Sequence, residues 1–196
     1  YHPGINTSYR KGQKQAEALS KAHGNAKVHY IPNRTYGVLL DAFEFKLNTC
    51  GIITNNIRRS AKVMKQVIGE RAKDSSHTVY DYGYSHGALI AGVSHNDMSK
   101  EMCNMIVGRM LSPGYILSNN GMRRTDNYIP DGDIVSTYAC KHNQELLAGI
   151  NTEGYNIHRL ASSKEAGFLG HDFLHPSLQA QIEQFGDDFK EQYGLL

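Results

Sequence analysis

Apolar positions along this chain follow two rhythms, one with the period of a helix and one with the period of a strand. Ala16, Leu19 and Ala22 recur on one side of a segment from Thr7 to His23, a helix that Asn6 or Thr7 can cap and Gly24 can end. Lys27 to Ile31 alternates as a short strand, stopped by Pro32. Ile57, Ala61, Met64 and Ile68 mark the inner face of a second helix, and Arg58, Arg59, Lys62 and Lys65 its outer face. His77 to Tyr84 has strand composition, with Val79, Asp81 and Gly83 on one face and the tyrosines on the other. The small, apolar run Gly87 to Val93 suits a helix pressed against a sheet. Asp97 is placed to cap a helix through Met98, Met102, Met105 and Ile106, closed by Ser112-Pro113-Gly114. Tyr115 to Ser118 reads as a strand, followed by a polar loop through Asp133. A short helix from Asn143 to Ala148 and a strand from Tyr155 to Leu160 come next. Pro176 opens a last helix with Leu178, Ile182, Phe185 and Phe189 on its inner face. Strands alternating with helices predict an α/β class, a mainly parallel central sheet flanked by helices on both faces. No repeat, low-complexity tract or linker divides the chain, so residues 1–196 read as a single domain.

A length of 196 residues is enough for one core. Lys and Arg total 21 against 19 Asp and Glu, a balance that argues against a nucleic-acid surface. No stretch approaches the ~18 continuous apolar residues of a transmembrane segment. No signal peptide is visible, but the chain starts at Tyr1, so cytoplasmic and secreted locations both stay open. Cys50, Cys103 and Cys140 lack the paired short spacing of a zinc site; free thiols are expected, with one disulfide and a leftover thiol as the alternative.

The chemistry centres on Gly83-Tyr84-Ser85-His86-Gly87, a G-x-S-x-G nucleophile elbow. In such a turn the serine takes a strained backbone conformation, and the glycines let strand and helix approach. A β-like run enters the motif and a small-residue helical run leaves it, which is the context the motif requires.

With these residues the chain resembles the α/β-hydrolase superfamily, near its small lipase and esterase members, over almost its whole length. More narrowly it resembles a hydrolase-like domain that recurs in chlamydial proteins. The shared pattern comprises Pro3-Gly4-Ile5-Asn6, the string Asn33, Thr35, Gly37, Asp41 and Glu44, the elbow, Asp133-Ile134-Val135, and His171-Asp172-Phe173. Two positions depart from expectation. Tyr84 stands where such enzymes often have His. Asp81 is a charge on what should be a central strand, and must be paired, neutral or at the solvent end.

The resemblance implies a minimal α/β-hydrolase fold and a triad in the order Ser, acid, His. Asp133 follows the turn Pro130-Asp131-Gly132 and is the expected acid, with Asp131 and Asp126 as rivals. His171 precedes the final helix and is the expected base, with His175 as rival. The oxyanion hole would use the backbone N–H of His86 and a second from Gly4 or Ile5, in a loop whose preceding strand lies upstream of Tyr1. The expected function is a serine hydrolase cleaving a small-molecule or lipid ester, or a thioester, without a cofactor. A non-catalytic binding module on the same fold is the alternative. A metal site from His171, Asp172 and His175 ranks last, because Pro176 disfavours a helix through His175. Val38 to Asn55 is the expected lid or pocket lining, and Arg123-Arg124 a solvated pair near the site's rim.

Overall fold

A computed structural model describes residues 1–71, 78–119, 121–161, 171, 173 and 175–195. The elements run α1 (Tyr9–Ala22), α2 (Val38–Thr49), α3 (Asn55–Arg71), β1 (Val79–Tyr84), α4 (His86–His95), α5 (Lys100–Cys103), β2 (Ile106–Leu111), β3 (Arg124–Pro130), α6 (Ile134–Tyr138), α7 (Lys141–Leu147), β4 (Asn156–Leu160) and α8 (Pro176–Gln192). The four strands form one sheet in the order β1-β2-β3-β4, every pair parallel. Parallel neighbours need crossover connections, which the intervening helices and loops supply. Beyond β1, His2 makes a parallel bridge with Gly83, donating its N–H to Tyr82 O at 2.8 Å and accepting from Tyr84 N at 2.9 Å. The residue before the Pro3-Gly4-Ile5 loop thus extends the sheet beside β1 by a single bridge.

Alternation along β1 divides the core. Tyr82 and Tyr84 join Leu19 of α1 and Leu178, Ile182 and Phe185 of α8 on one face. On the other face Met110 packs with Ala88 and Ala91 of α4, and Ile106 with Met64 and Ile68 of α3. Both faces are thus covered, as a parallel sheet requires. The α/β class and the face assignment of β1 match the sequence reading.

Several elements differ from that reading. Thr7 to His23 is helical from Tyr9, and Ser8 rather than Asn6 or Thr7 caps it, accepting from Lys11 N. The helix expected through Ile106 is only α5, capped by Ser99 instead of Asp97; β2 follows at Ile106. Met98, Met102 and Met105 have helical spacing because they cluster around Ile106 and Ile68, with no long helix beneath them. Tyr115 to Ser118 is not a strand. Its polar backbone is bonded by side-chain amides: Ile116 N and Leu117 N donate to Asn143 Oδ1 and Asn127 Oδ1, at 2.9 and 3.0 Å. The strand is instead β3, in the stretch read as polar loop, whose Thr125, Asp126 and Asn127 are all buried. Lys27 to Ile31 pairs with no strand among the described residues, although Ile31 N reaches Tyr1 O at 2.9 Å. Val38 to Thr49 forms a helix that the sequence pattern did not mark. Arg124 opens β3, so the Arg123-Arg124 pair lies at the opposite sheet edge from Ser85, where Arg124 bridges Asp126 at 2.7 Å. No described helix is long and apolar enough to cross a membrane.

The inner face of α8 anchors the tyrosine face of the sheet. Truncating fully packed Ile182 to Ala is expected to cost about 2–5 kcal/mol, read as a lower urea midpoint with unchanged m-value.

Candidate active site

Ser85 is the hinge between β1 and α4, at φ 55° and ψ −124°. A side chain with positive φ is strained, and the surroundings hold it there. Ser85 N donates to Leu111 O of β2 at 3.2 Å, and Ser85 O accepts from Gly114 N at 3.1 Å. A Cβ on Gly83 would overlap Ala88 backbone, and one on Gly87 would overlap the His2 carbonyl. Both motif glycines are therefore needed for close approach.

Ser85 Oγ lies 2.8 Å from His171 Nε2. On the ring's far side, Nδ1 is 3.0 and 3.1 Å from the two oxygens of Asp133. In a neutral ring Nδ1–H donates to the carboxylate, which leaves Nε2 to accept from the serine hydroxyl. Asp133 caps α6, accepting from Ser136 N at 3.0 Å and from the Ser136 hydroxyl at 2.7 Å. Burial pushes its carboxyl up, but the bonds from His171 and Ser136 together hold it below its ordinary value. Tyr84, where His was expected, stacks on His171 at 5.3 Å and 22°, with Phe173 edge-on behind it. The unexpected tyrosine thus supports the ring.

The rivals have other partners. Asp131 is exposed in the turn, and Asp126 accepts from Arg124 and His158. His175 caps α8, accepting from Ser177 N at 3.2 Å. Gly170 and Asp172 lie outside the described residues. His171 has both nitrogens engaged, by Ser85 and Asp133, and none to offer a metal.

His86 begins α4, so its N–H is at a helix start, where no intrahelical acceptor exists. Gly4 lies against the serine: a Cβ there would sit 2.8 Å from Ser85 Cβ and 3.3 Å from Oγ. Among the described residues, the backbone N–H groups of Gly4, Ile5 and His86 have no hydrogen-bond acceptor. The expected oxyanion donors of His86 and Gly4 are thus at the elbow, with Ile5 next along the loop.

The Asn33 to Glu44 string folds as a clasp beside the elbow. Asp41 accepts from Asn6 N at 3.2 Å and Tyr36 N at 2.8 Å, and also from Thr35. Glu44 accepts from Asn56 at 2.9 Å. Asn33 and Asn48 hold the two ring nitrogens of His86, at 3.3 and 3.0 Å, and Phe45 meets that ring edge-on. A neutral imidazole accepts at one nitrogen and donates at the other, so one of the two amides meets it with oxygen. Sequence reasoning missed the His86 side chain and Asn48. The only available signal was their helical and motif neighbourhood, since pairing across such separations leaves no periodic trace.

Asp81 is also paired. It is buried with His2 Nε2 3.0 Å from one oxygen and His95 Nε2 3.0 Å from the other. Burial pushes its carboxyl up, and the two histidines outweigh that and hold it well below the ordinary range. A cavity of about 350 Å³ between α1, α8 and β1, and one of about 570 Å³ around Arg109 and His158, are lined by none of Ser85, Asp133 and His171.

Burial pushes the His86 imidazole down to about 4, with Asp41 opposing in part. An unfolded histidine takes up its proton near pH ~6.5. As pH falls from there to about 4, the unfolded chain binds a proton that the folded chain refuses, and stability is lost, by about 3 kcal/mol from this group. Urea midpoints measured between pH 7 and 4.5 should fall accordingly, and His86→Gln should flatten part of that slope. Neither a scan against models of known protein families nor a search of curated proteins finds a match for this chain.

Proposed function

We propose that the protein is a serine hydrolase of α/β-hydrolase type that cleaves an ester or thioester. The reading rests on one observation above all: Ser85 Oγ lies 2.8 Å from a histidine whose other nitrogen faces a buried carboxylate. His171 accepts the Ser85 proton as Oγ attacks the acyl carbonyl, and Asp133 fixes the tautomer and stabilises the imidazolium. The N–H groups of His86 and Gly4 receive the developing oxyanion. His171 then protonates the leaving group, and a water repeats the sequence to release the acid. The nucleophile after β1, the acid after β3 and the base after β4 agree with the chain order of this superfamily. The pairing of Asp81 and the nearness of Gly4 to Ser85 support the catalytic reading over the non-catalytic module.

Exposed apolar side chains on α2 and α6 support an apolar acyl group. Leu39, Leu40 and Phe43 of α2 are 86%, 59% and 61% exposed, and Tyr138 of α6, the helix that Asp133 caps, is 66% exposed. Exposed apolar residues on two helices tied to the site, α2 through Asn48 on His86 and α6 through its Asp133 cap, favour contact with a lipid-like ester.

A fluorophosphonate probe tests the reading. It should label wild type at a single serine and leave Ser85→Ala unlabelled; labelling of Ser85→Ala at the wild-type rate would overturn the assignment. Asp133→Asn should lower turnover of p-nitrophenyl esters by about 10⁴-fold with the probe site still present. Leu39→Ser with Phe43→Ser should lower activity on long-chain esters more than on the acetate, and equal losses on both would argue against the apolar acyl group.

A further inference from the structure

Asp81 is a buried carboxylate on the elbow's own strand that the proposed mechanism does not use. It sits on β1, four positions before Ser85, and is 1% exposed. A carboxylate in a sheet core carries a desolvation penalty that an apolar side chain would avoid, so its partners are informative. One is His95, at the end of α4. The other is His2, whose Nδ1 also faces the Ser60 hydroxyl at 3.4 Å.

His2 is the last residue before Pro3-Gly4-Ile5, and its backbone is zipped to β1 on both sides. The far end of the same loop is fixed where Asn6 N donates to Asp41. Between these anchors Gly4 is pressed on Ser85, and the His2 and Pro3 carbonyls rest on Gly87. A small rotation of His2 would therefore move the Gly4 N–H relative to the serine.

We propose that Asp81 is a positioning residue, which through the His2 imidazole sets the place of the Gly4 N–H beside Ser85. Asp81 touches no reacting atom; it acts through the loop. The inference rests on the serine-hydrolase reading for its catalytic consequence, but the tie itself can be measured without activity.

The test compares Asp81→Asn, His2→Ala, His2→Gln and His95→Asn with wild type. Asp81→Asn and His2→Ala should lower kcat on a p-nitrophenyl ester by about 10²-fold with KM within about twofold. Affinity for a trifluoromethyl ketone, whose adduct carries the oxyanion, should fall in parallel. His2→Gln keeps a donor toward Asp81 and should regain part of the loss. His95→Asn removes the carboxylate's other partner without touching the loop; it should lower the melting temperature without that fall in kcat. Amide exchange supplies the readout independent of catalysis: His2 and Tyr84 N–H should exchange at least about tenfold faster in Asp81→Asn, beyond any change in β2 and β3. If Asp81→Asn does not fold, His2→Ala and His2→Gln carry the comparison. Unchanged exchange at His2 and Tyr84 overturns the positioning role. Faster exchange with unchanged kcat and ketone affinity overturns its catalytic consequence. Faster exchange in Asp81→Asn, where wild type neither hydrolyses esters nor labels with the probe, upholds the tie and overturns the hydrolase reading instead.

Discussion

The site depends on the backbone of a single residue, Ser85, held at positive φ where a strand becomes a helix without an intervening linker. Such a conformation costs of order 1–3 kcal/mol and persists only when its surroundings leave no alternative. Here the surroundings are three chain segments crossing at one point. The elbow supplies Gly83 and Gly87, the segment from His2 to Gly4 passes over Gly87 and against the serine, and Gly114 binds the Ser85 carbonyl. Each crossing excludes a Cβ at a specific place. The geometry of the elbow is therefore a result of packing small residues, before any charged group contributes.

Two buried carboxylates then divide the work by their position. Asp133 lies beyond the end of β3 and faces a histidine that reaches the serine. Asp81 lies inside the sheet and faces histidines that do not. Both are held ionised against burial by donors converging on them. The difference in chemical opportunity comes from the second nitrogen of each imidazole. His171 turns its Nε2 to Ser85, while His2 turns its Nδ1 toward Ser60, within the core.

What the sequence made legible was local or ordered along the chain. The elbow is contiguous, its strand alternates cleanly, and the members of the proposed triad follow the chain order that the resemblance implies, so Ser85, Asp133 and His171 could be singled out without coordinates. The interior of the sheet was harder. Thr125, Asp126 and Asn127 look like loop residues, yet they are buried in β3 because side-chain and backbone partners satisfy them. Conversely, Tyr115 to Ser118 has strand composition, but asparagine amides occupy the positions that a neighbouring strand would take. α2 was missed because several of its apolar side chains face outward, which removes the one-sided pattern that marks a packed helix. The links from His2 to Asp81 and from Asn48 to His86 join distant segments, and composition carries no sign of them.

The strand order has a consequence for where the sheet opens first. Ser85 follows β1, which is flanked by β2 and by the His2 bridge, whereas His171 follows β4, which among the described residues pairs only with β3. Side chains along β4 are half-buried or exposed, so little apolar surface opposes its separation. Local opening begins where a structure is least buried, and among the described strands that is the β4 margin of the sheet. Detachment of β4 would release Asp126 from His158 while the elbow and the other three strands remained folded, and His171 would stay stacked on Tyr84, beside Phe173 in the core. On heating, amides along β4 would exchange with solvent before the core melts, and cooling would restore them by re-docking one strand instead of refolding the whole sheet.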